Sequence, residues 1–299
     1  MGADGMDVHH LRVFLSVFRN RSFSKASRDL HITQPTVSEH IRGLEEELGI
    51  RLFDRTGRRI IPTREAGLLY PAASEIVEKL EGIKDAVREL KGEVKGELMI
   101  GASTIPGTYL LPPMAAVFRA RHPGTSFHLV EADSREIARM VAGHDLLLGV
   151  IGTKADVRDL EFTPLDEDEL VLVAPPGLVG KKAITPRELA GVPLLLREEG
   201  SGTRRTAEAR LLEKGVATGD LNVVAVLGST ASVKEAARAG LGATILSRLA
   251  VRDELQSGAL VEVALKGVSM KRSFYAVKHR KRTLPAHYRA FLDFLKGKR

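Results

Sequence analysis

HITQPTVSEHI, residues 31–41, places a turn, a polar helix start and apolar residues at helical spacing within eleven positions. Thr33 can cap a helix whose first turn holds Pro35, where a missing N–H costs nothing. Val37, Ile41, Leu44 and Leu48 then recur at the spacing of one helix face, and Gly49 can close the helix. Upstream, Leu11, Phe14, Leu15 and Phe18 predict an amphipathic first helix. Ser22 can cap a second helix with Phe23, Ala26 and Leu30 as its buried stripe. Two short helices joined by a tight turn form the unit whose second helix enters the major groove of DNA.

With Val37 and Ile41 turned inward, Pro35, Ser38, Glu39 and Arg42 face outward, and Gln34 and Thr36 sit at the exposed tip. Glutamine can pair with adenine, arginine with guanine, and glutamate can accept from cytosine N4. Short Thr and Ser side chains let the positive end of the helix approach a phosphate. A generic helical hairpin with a polar face would show the same pattern, and the next ten residues weigh against it. RLFDRTGRRI, residues 51–60, sets four arginines against one aspartate, with Thr56-Gly57 as a hairpin tip. A basic wing carrying Arg55, Arg58 and Arg59 would grip phosphates without reading sequence.

The remaining composition agrees with a soluble nucleic-acid-binding protein. The 299 residues allow about two domains, and the net charge of +7 favours a polyanionic partner. The chain has no cysteine, which removes disulfides, thiolate catalysis and Cys-based zinc sites. No apolar run is long enough to span a bilayer, and MGADGMDVHHL lacks the pattern of a signal peptide, so the cytoplasm is the expected location.

After Pro62-Thr63 a helical pattern runs to about Lys91. Leu69, Ala73, Ile76, Leu80, Ile83, Val87 and Leu90 step by four and three, with charged residues between them. A seam this narrow predicts pairing with a second copy rather than packing on the chain's own domain. Pairing would present two recognition helices to one face of DNA, so a dyad-symmetric operator is expected.

Beyond GEVKGELMIGAS the pattern changes to short apolar strands alternating with helices, which predicts a largely parallel sheet in two α/β lobes. Ligands of open α/β sheets sit at the carboxyl ends of strands, near helix starts. Four such junctions carry hydroxyls or glycine. They are Ser103-Thr104 after the first strand, Gly152 with Thr153 after another, Ser201, Thr203 and Arg204 in a glycine-rich turn, and Ser229-Thr230. Each alone reads as a helix cap. Together they suit a small anion, with Arg204 adding a charge.

The run SFSKASRDLHITQPTVSEHIRGLEEELGIRLFDRTGRRIIPT closely resembles the winged helix-turn-helix of LysR-type transcriptional regulators. The resemblance implies a bacterial DNA-binding regulator in which Gln34, Pro35 and Ser38 occupy base-contacting positions. Glu39 and His40 depart from the family, which often has a basic residue and then Gln there. The resemblance further implies pairing through a linker helix into a homodimer or homotetramer. It also implies an effector domain similar to two-lobed periplasmic binding proteins, with Ser103, Thr104, Ser201, Thr203 and Ser229 lining the gap. GASTIPGTYLLP and EEGSGTR resemble the branch tied to sulfur and related oxyanion assimilation, which implies an inorganic oxyanion or a small sulfur or selenium metabolite as effector.

The expected fold is thus an all-α winged helix-turn-helix over residues 6–63, a linker helix over 64–92, and a two-lobed α/β effector domain over 97–299. Lobe 1 is expected at about 97–165 and 267–299, and lobe 2 at about 166–266. An enzyme with a fused DNA-binding module is a weaker reading, since no GxxxxGK[ST], HExxH or GxSxG motif occurs. No cofactor and no metal are expected. A non-sensing architectural DNA protein would leave the hydroxyl-lined junctions without a role. The acidic run DEDEL, residues 166–170, reads as a turn leading into a strand.

Overall fold

The computed structural model describes residues 6–56, 59–89 and 94–297, with the backbone alone at 55, 56, 59, 78, 81 and 84–89. The chain divides into two compact units, one made of Met1–Glu93 with Thr283–Ala286 and the other of Val94–Arg282 with His287–Arg299.

The first unit contains α1 (Val8–Asn20), α2 (Phe23–Asp29), α3 (Gln34–Leu48), β1 (Phe53–Thr56), β2 (Arg59–Pro62) and α4 (Arg64–Glu89). Local chemistry sets its helix ends. Asp7 accepts from the His10 N–H while the His10 ring bonds back to the Asp7 N–H. Ser22 caps α2 through the Lys25 N–H, and Thr33 caps α3 through the Thr36 N–H. His31, in the turn between α2 and α3, holds a left-handed φ of 54°. Phe14, Val17, Ala26, Val37, Ile41, Leu44 and Leu52 are buried in one core that locks the three helices together. Glu45 fastens the wing to α3, because its Oε1 accepts the N–H groups of Leu52 at 2.7 Å and Phe53 at 3.2 Å.

α4 departs from the expected seam. Ala73 is fully buried in the core of its own unit beside Ala66 and Tyr70, with Leu69 packed against that core. Tyr70 is the reason. Its ring stacks on Phe18 at 4.3 Å and its hydroxyl accepts from Arg19 Nε at 2.8 Å, which ties the start of α4 to α1. Leu80 is half-buried, while Ile76 and Ile83 are 43% and 63% exposed, so only the later part of the expected seam offers apolar surface. The Val87 side chain and Leu90 lie outside the described residues.

The second unit runs β3 (Gly96–Ala102), a π-helical turn at Pro106–Leu110, α5 (Leu111–Arg121), β4 (Thr125–Glu131), α6 (Ser134–Ala142) and β5 (Leu148–Ile151). It continues with β6 (Leu160–Ala174), β7 (Ala183–Ile184), α7 (Pro186–Leu189), β8 (Leu194–Arg197), α8 (Gly202–Leu212), β9 (Val223–Leu227) and α9 (Thr230–Arg238). The final elements are β10 (Ala243–Ser247), α10 (Arg252–Ser257), β11 (Val261–Leu265), β12 (Lys271–His279) and α11 (Ala286–Lys296). The strand order is β4-β3-β5-β12-β6-β10-β8-β9. β3 is parallel to β4 and β5 in one lobe, and β8 is parallel to β9 and β10 in the other.

The long antiparallel strands β6 and β12 carry the chain between the lobes. The acidic run 166–170 lies inside β6 rather than in a turn. The partner strand makes this possible, since Asp168 pairs in register with Arg272 and Glu169 with Lys271.

Two glycines set how closely a helix approaches the first lobe's sheet. Gly101 of β3 and Gly149 of β5 are register partners. A Cβ at Gly101 would sit 2.6 Å from Leu146 Cδ1, and one at Gly149 would sit 2.7 Å from Ile137 Cγ2 and 2.8 Å from Val277 Cγ1. The bare backbone lets α6 press onto the sheet, which brings the start of α6 to the strand ends. Gly149→Ala is expected to cost about 1–3 kcal/mol through overpacking. A urea midpoint for this unit that does not move would show that α6 yields without penalty.

Candidate functional site

Two surfaces collect the residues singled out in the sequence. On α3, Gln34, Pro35, Glu39 and Arg42 are exposed, and Thr36 and Ser38 are half-buried. Gln34 is not a free rotor, because its Oε1 accepts from the Ser24 hydroxyl at 2.8 Å. That bond holds the amide at the tip of the helix, with its NH2 donors left for another partner. Arg42 reaches Glu46 at only 3.7 Å, and both side chains are about 70% exposed, so the guanidinium keeps most of its donors. Beside this face the rings of His9 and His10 lie 4.7 and 5.0 Å from that of His40. Burial, then the neighbouring His9 and His10, holds the His40 pKa below the ordinary histidine value. Arg58 lies outside the described residues, and Arg55 and Arg59 are described by backbone alone.

The second surface is a cleft of about 60 Å³ in the second unit, where ends of strands meet helix starts from both lobes. Ser103 follows β3. Its Oγ accepts the Gly152 N–H at 3.0 Å and its own N–H donates to the Val150 carbonyl at 2.9 Å. Ser134 opens α6, whose cap Asp133 accepts the N–H groups of Arg135 and Glu136 at 2.7 and 2.9 Å. From the other lobe Ser201 caps α8, and Thr203 is buried in its first turn. The approach across the cleft is close. A Cβ on Gly202 would lie 3.0 Å from Thr153 Oγ1 and 3.5 Å from Ser134 Oγ. Thr153 Oγ1 is buried without a hydrogen-bond partner among the described residues.

The lining includes Ser103, Thr104, Gly152, Ser201 and Thr203 but not Arg204, Ser229 or Thr230. Arg204 is drawn away, with Nε on Glu208 at 2.7 Å and Nη1 on the Arg197 carbonyl at 3.0 Å. Ser229 is half-buried and caps α9 through the Ser232 N–H at 3.0 Å. Thr230 is buried and acts at one remove, accepting from Arg197 Nη1.

The cleft lining carries two arginines for which the sequence pattern gave no motif, together with the carboxylates of Asp133 and Glu198. Arg197, at the carboxyl end of β8, is buried and bidentate to Glu198 through Nε at 2.8 Å and Nη2 at 2.7 Å. With Nη1 on Thr230, each of its three nitrogens has a partner. Arg272, on β12, directs Nε at 2.8 Å and Nη2 at 2.7 Å to Asp168 Oδ2. Its Nη1 has only a long contact of 3.4 Å to Thr203 Oγ1, which leaves that donor for a cleft occupant. Burial pulls the Arg272 pKa below the ordinary arginine value, with Asp168 opposing. Arg197 could have been sought at a strand end, whereas Arg272 sits mid-pattern in a strand far along the chain and carries no local signal.

The model of the LysR-family bacterial regulatory helix-turn-helix protein matches residues 8–67, and that of the LysR substrate binding domain matches residues 91–299. The uncharacterized HTH-type transcriptional regulator YeiE of Escherichia coli (strain K12) is 33% identical over 96% of this chain and 96% of its own length. The RuBisCO operon transcriptional regulator of Allochromatium vinosum is 31% identical, covering 97% of this chain and 95% of its own. Among solved structures, a full-length OxyR variant from Pseudomonas aeruginosa superposes with a TM-score of 0.77 at 20% identity, over 98% of this chain and 94% of that one. The helix-turn-helix with its wing and the two-lobed α/β unit therefore belong to a member of the LysR family of DNA-binding transcriptional regulators.

Proposed function

We propose that this regulator reads a dyad-symmetric operator with α3 and responds to a small oxyanion held in the cleft of its second unit. One observation carries the effector reading. Arg272 is fixed by a buried carboxylate while its Nη1 is held only by a 3.4 Å contact to Thr203, at a cleft that also gathers the starts of α6 and α8. Backbone N–H groups at helix starts and a preoriented guanidinium donor suit an anion. The cleft, of about 60 Å³, is small, which favours a compact anion such as sulfate, sulfite or selenite over a bulky one.

On the DNA side, Gln34, Pro35, Thr36, Ser38, Glu39 and Arg42 address base edges and nearby backbone, and Arg55, Arg58 and Arg59 address phosphates. Two copies pair through the exposed part of α4 at Ile76 and Ile83, as a homodimer or within a homotetramer. The effector shifts the population of paired arrangements by binding one better than the other.

A thermal-shift panel of sulfate, sulfite, selenite, thiosulfate, phosphate, nitrate and small carboxylates tests the effector class. Stabilisation by a compact oxyanion, abolished in Ser103→Ala with Thr203→Ala while DNA binding persists, is the expected result. A response only to larger organic ligands would overturn it. Gln34→Ala is expected to cost about 1–3 kcal/mol at the cognate operator and to relax one base preference. Equal weakening on random DNA, measured by anisotropy titration, would remove Gln34 from the base readout.

A further inference from the structure

Ser24 stands in the first turn of α2, yet its hydroxyl does not cap its own helix. Ser22 fills that role by accepting the Lys25 N–H. The Ser24 hydroxyl donates instead to Gln34 Oε1 at 2.8 Å, at the start of α3. Both ends of this bond are held in place. The Ser24 carbonyl accepts from Ser27 Oγ at 3.1 Å and from Arg28 Nε at 3.3 Å. Gln34 follows the cap Thr33, whose Oγ1 accepts the Thr36 N–H at 3.3 Å. Beneath them, Phe23 and Ala26 of α2 share one core with Val37 and Ile41 of α3, so buried side chains set the distance between the two tips.

The bond selects which edge of the amide is on offer. Pairing with adenine uses both amide groups, the oxygen accepting from N6–H2 and the NH2 donating to N7. Here the oxygen already accepts from Ser24 and is drawn toward α2. The guanidinium of Arg28 lies on that side, and a cation favours the amide oxygen there over the NH2. The NH2 is left facing outward. Guanine N7 and O6 and thymine O4 are acceptors that suit it, whereas adenine N6–H2 and cytosine N4–H2 are donors that oppose it. Ser24 has a single O–H, which is spent on Gln34 and not free for a phosphate.

We propose that Ser24 is a positioning residue for base readout, which locks the Gln34 amide as a donor and so sets a preference for guanine or thymine over adenine. The proposal rests on Gln34 reading a base edge, and its test keeps the two apart.

The probe is a library of duplexes with a randomised segment, offered to the full-length protein and sequenced after selection. Gln34→Ala marks the base position concerned, as the one whose preference it relaxes. At that position the unaltered protein is expected to favour guanine or thymine over adenine by about fivefold or more, the low end for a paired base contact. Ser24→Ala should bring this ratio to about one or below, because the freed oxygen can then accept from adenine N6–H2. Ser24→Thr keeps the hydroxyl and should restore the ratio. Ser24 is exposed, and alanine retains the carbonyl that Ser27 and Arg28 use, so thermal unfolding of the first unit should not move. An unchanged ratio in Ser24→Ala overturns the proposal while leaving the Gln34 reading intact. An equal loss of affinity for all four bases also overturns it, since Ser24 would then be a scaffold or phosphate contact. So does a preference of the unaltered protein for adenine at that position. If Gln34→Ala relaxes no position, the base reading of Gln34 falls, and the role of Ser24 falls with it.

Discussion

Asp168→Ala is expected to destabilise the second unit by about 3–5 kcal/mol, because it leaves a guanidinium buried without its counter-charge. The side chains of Arg272 and Asp168 are 7% and 1% exposed, so water cannot replace the missing carboxylate without the structure opening. Asp168 also accepts the Ser247 hydroxyl at 2.7 Å, which ties β6 to β10 at the point where β6 passes between lobes. Truncation therefore removes a tie between β6 and β10 as well as a charge. The contrasting variant removes both charges. Asp168→Leu with Arg272→Met should recover most of the stability, since a buried ion pair replaced by apolar groups of similar volume is often neutral or better. Urea unfolding monitored by circular dichroism reads both. A destabilisation below about 1 kcal/mol for Asp168→Ala would mean that Arg272 swings out to solvent, and its role in the cleft would fall with it.

The legibility of these features in the sequence follows the range of the interactions that make them. The first unit is built from contacts between near neighbours. Helix caps at Ser22 and Thr33, the stripe Val37-Ile41-Leu44 and the surplus arginines of the wing all lie within a few residues of what they determine. Ser103, Gly152, Ser201 and Thr203 were readable for the same reason, since a hydroxyl or glycine between a strand and a helix marks a strand end. Long-range pairings were not readable. Nothing near Arg272 announces that it meets Asp168, 104 residues earlier in the chain. Arg204 looked like the anion's charge because it stands in the glycine-rich turn, yet Glu208 one helical turn on captures it. Ala73 kept heptad spacing while the stacking of Tyr70 on Phe18 turned that stretch of α4 into its own core. Periodicity shows which face is apolar, and only the tertiary partner decides what covers it.

Phe14→Ala is expected to abolish operator binding while leaving ligand-induced stabilisation of the second unit in place. Phe14 is fully buried, with the rings of Phe18 and Phe53 at 5.9 and 5.8 Å. It therefore joins α1 to the first strand of the wing, in the same core that holds Val37 and Ile41 of α3. Removing a buried phenyl ring costs about 3–5 kcal/mol, from forfeited transfer energy and from the cavity left behind. A domain of this kind has about 5–15 kcal/mol in all, so the change takes a large share of what holds the recognition helix and wing in register. α3 keeps every outward-facing residue in this variant, and a failure to bind DNA can then be traced to the scaffold rather than to the reading face itself. Phe14→Leu provides the graded comparison, because a smaller change in volume should cost less than Phe14→Ala and preserve binding. Thermal unfolding should show the first unit's transition moving down while the second unit's stays. A single transition that shifts as a whole would mean that the two units unfold together. Full operator affinity in Phe14→Ala would mean that the recognition helix does not depend on this core for its placement.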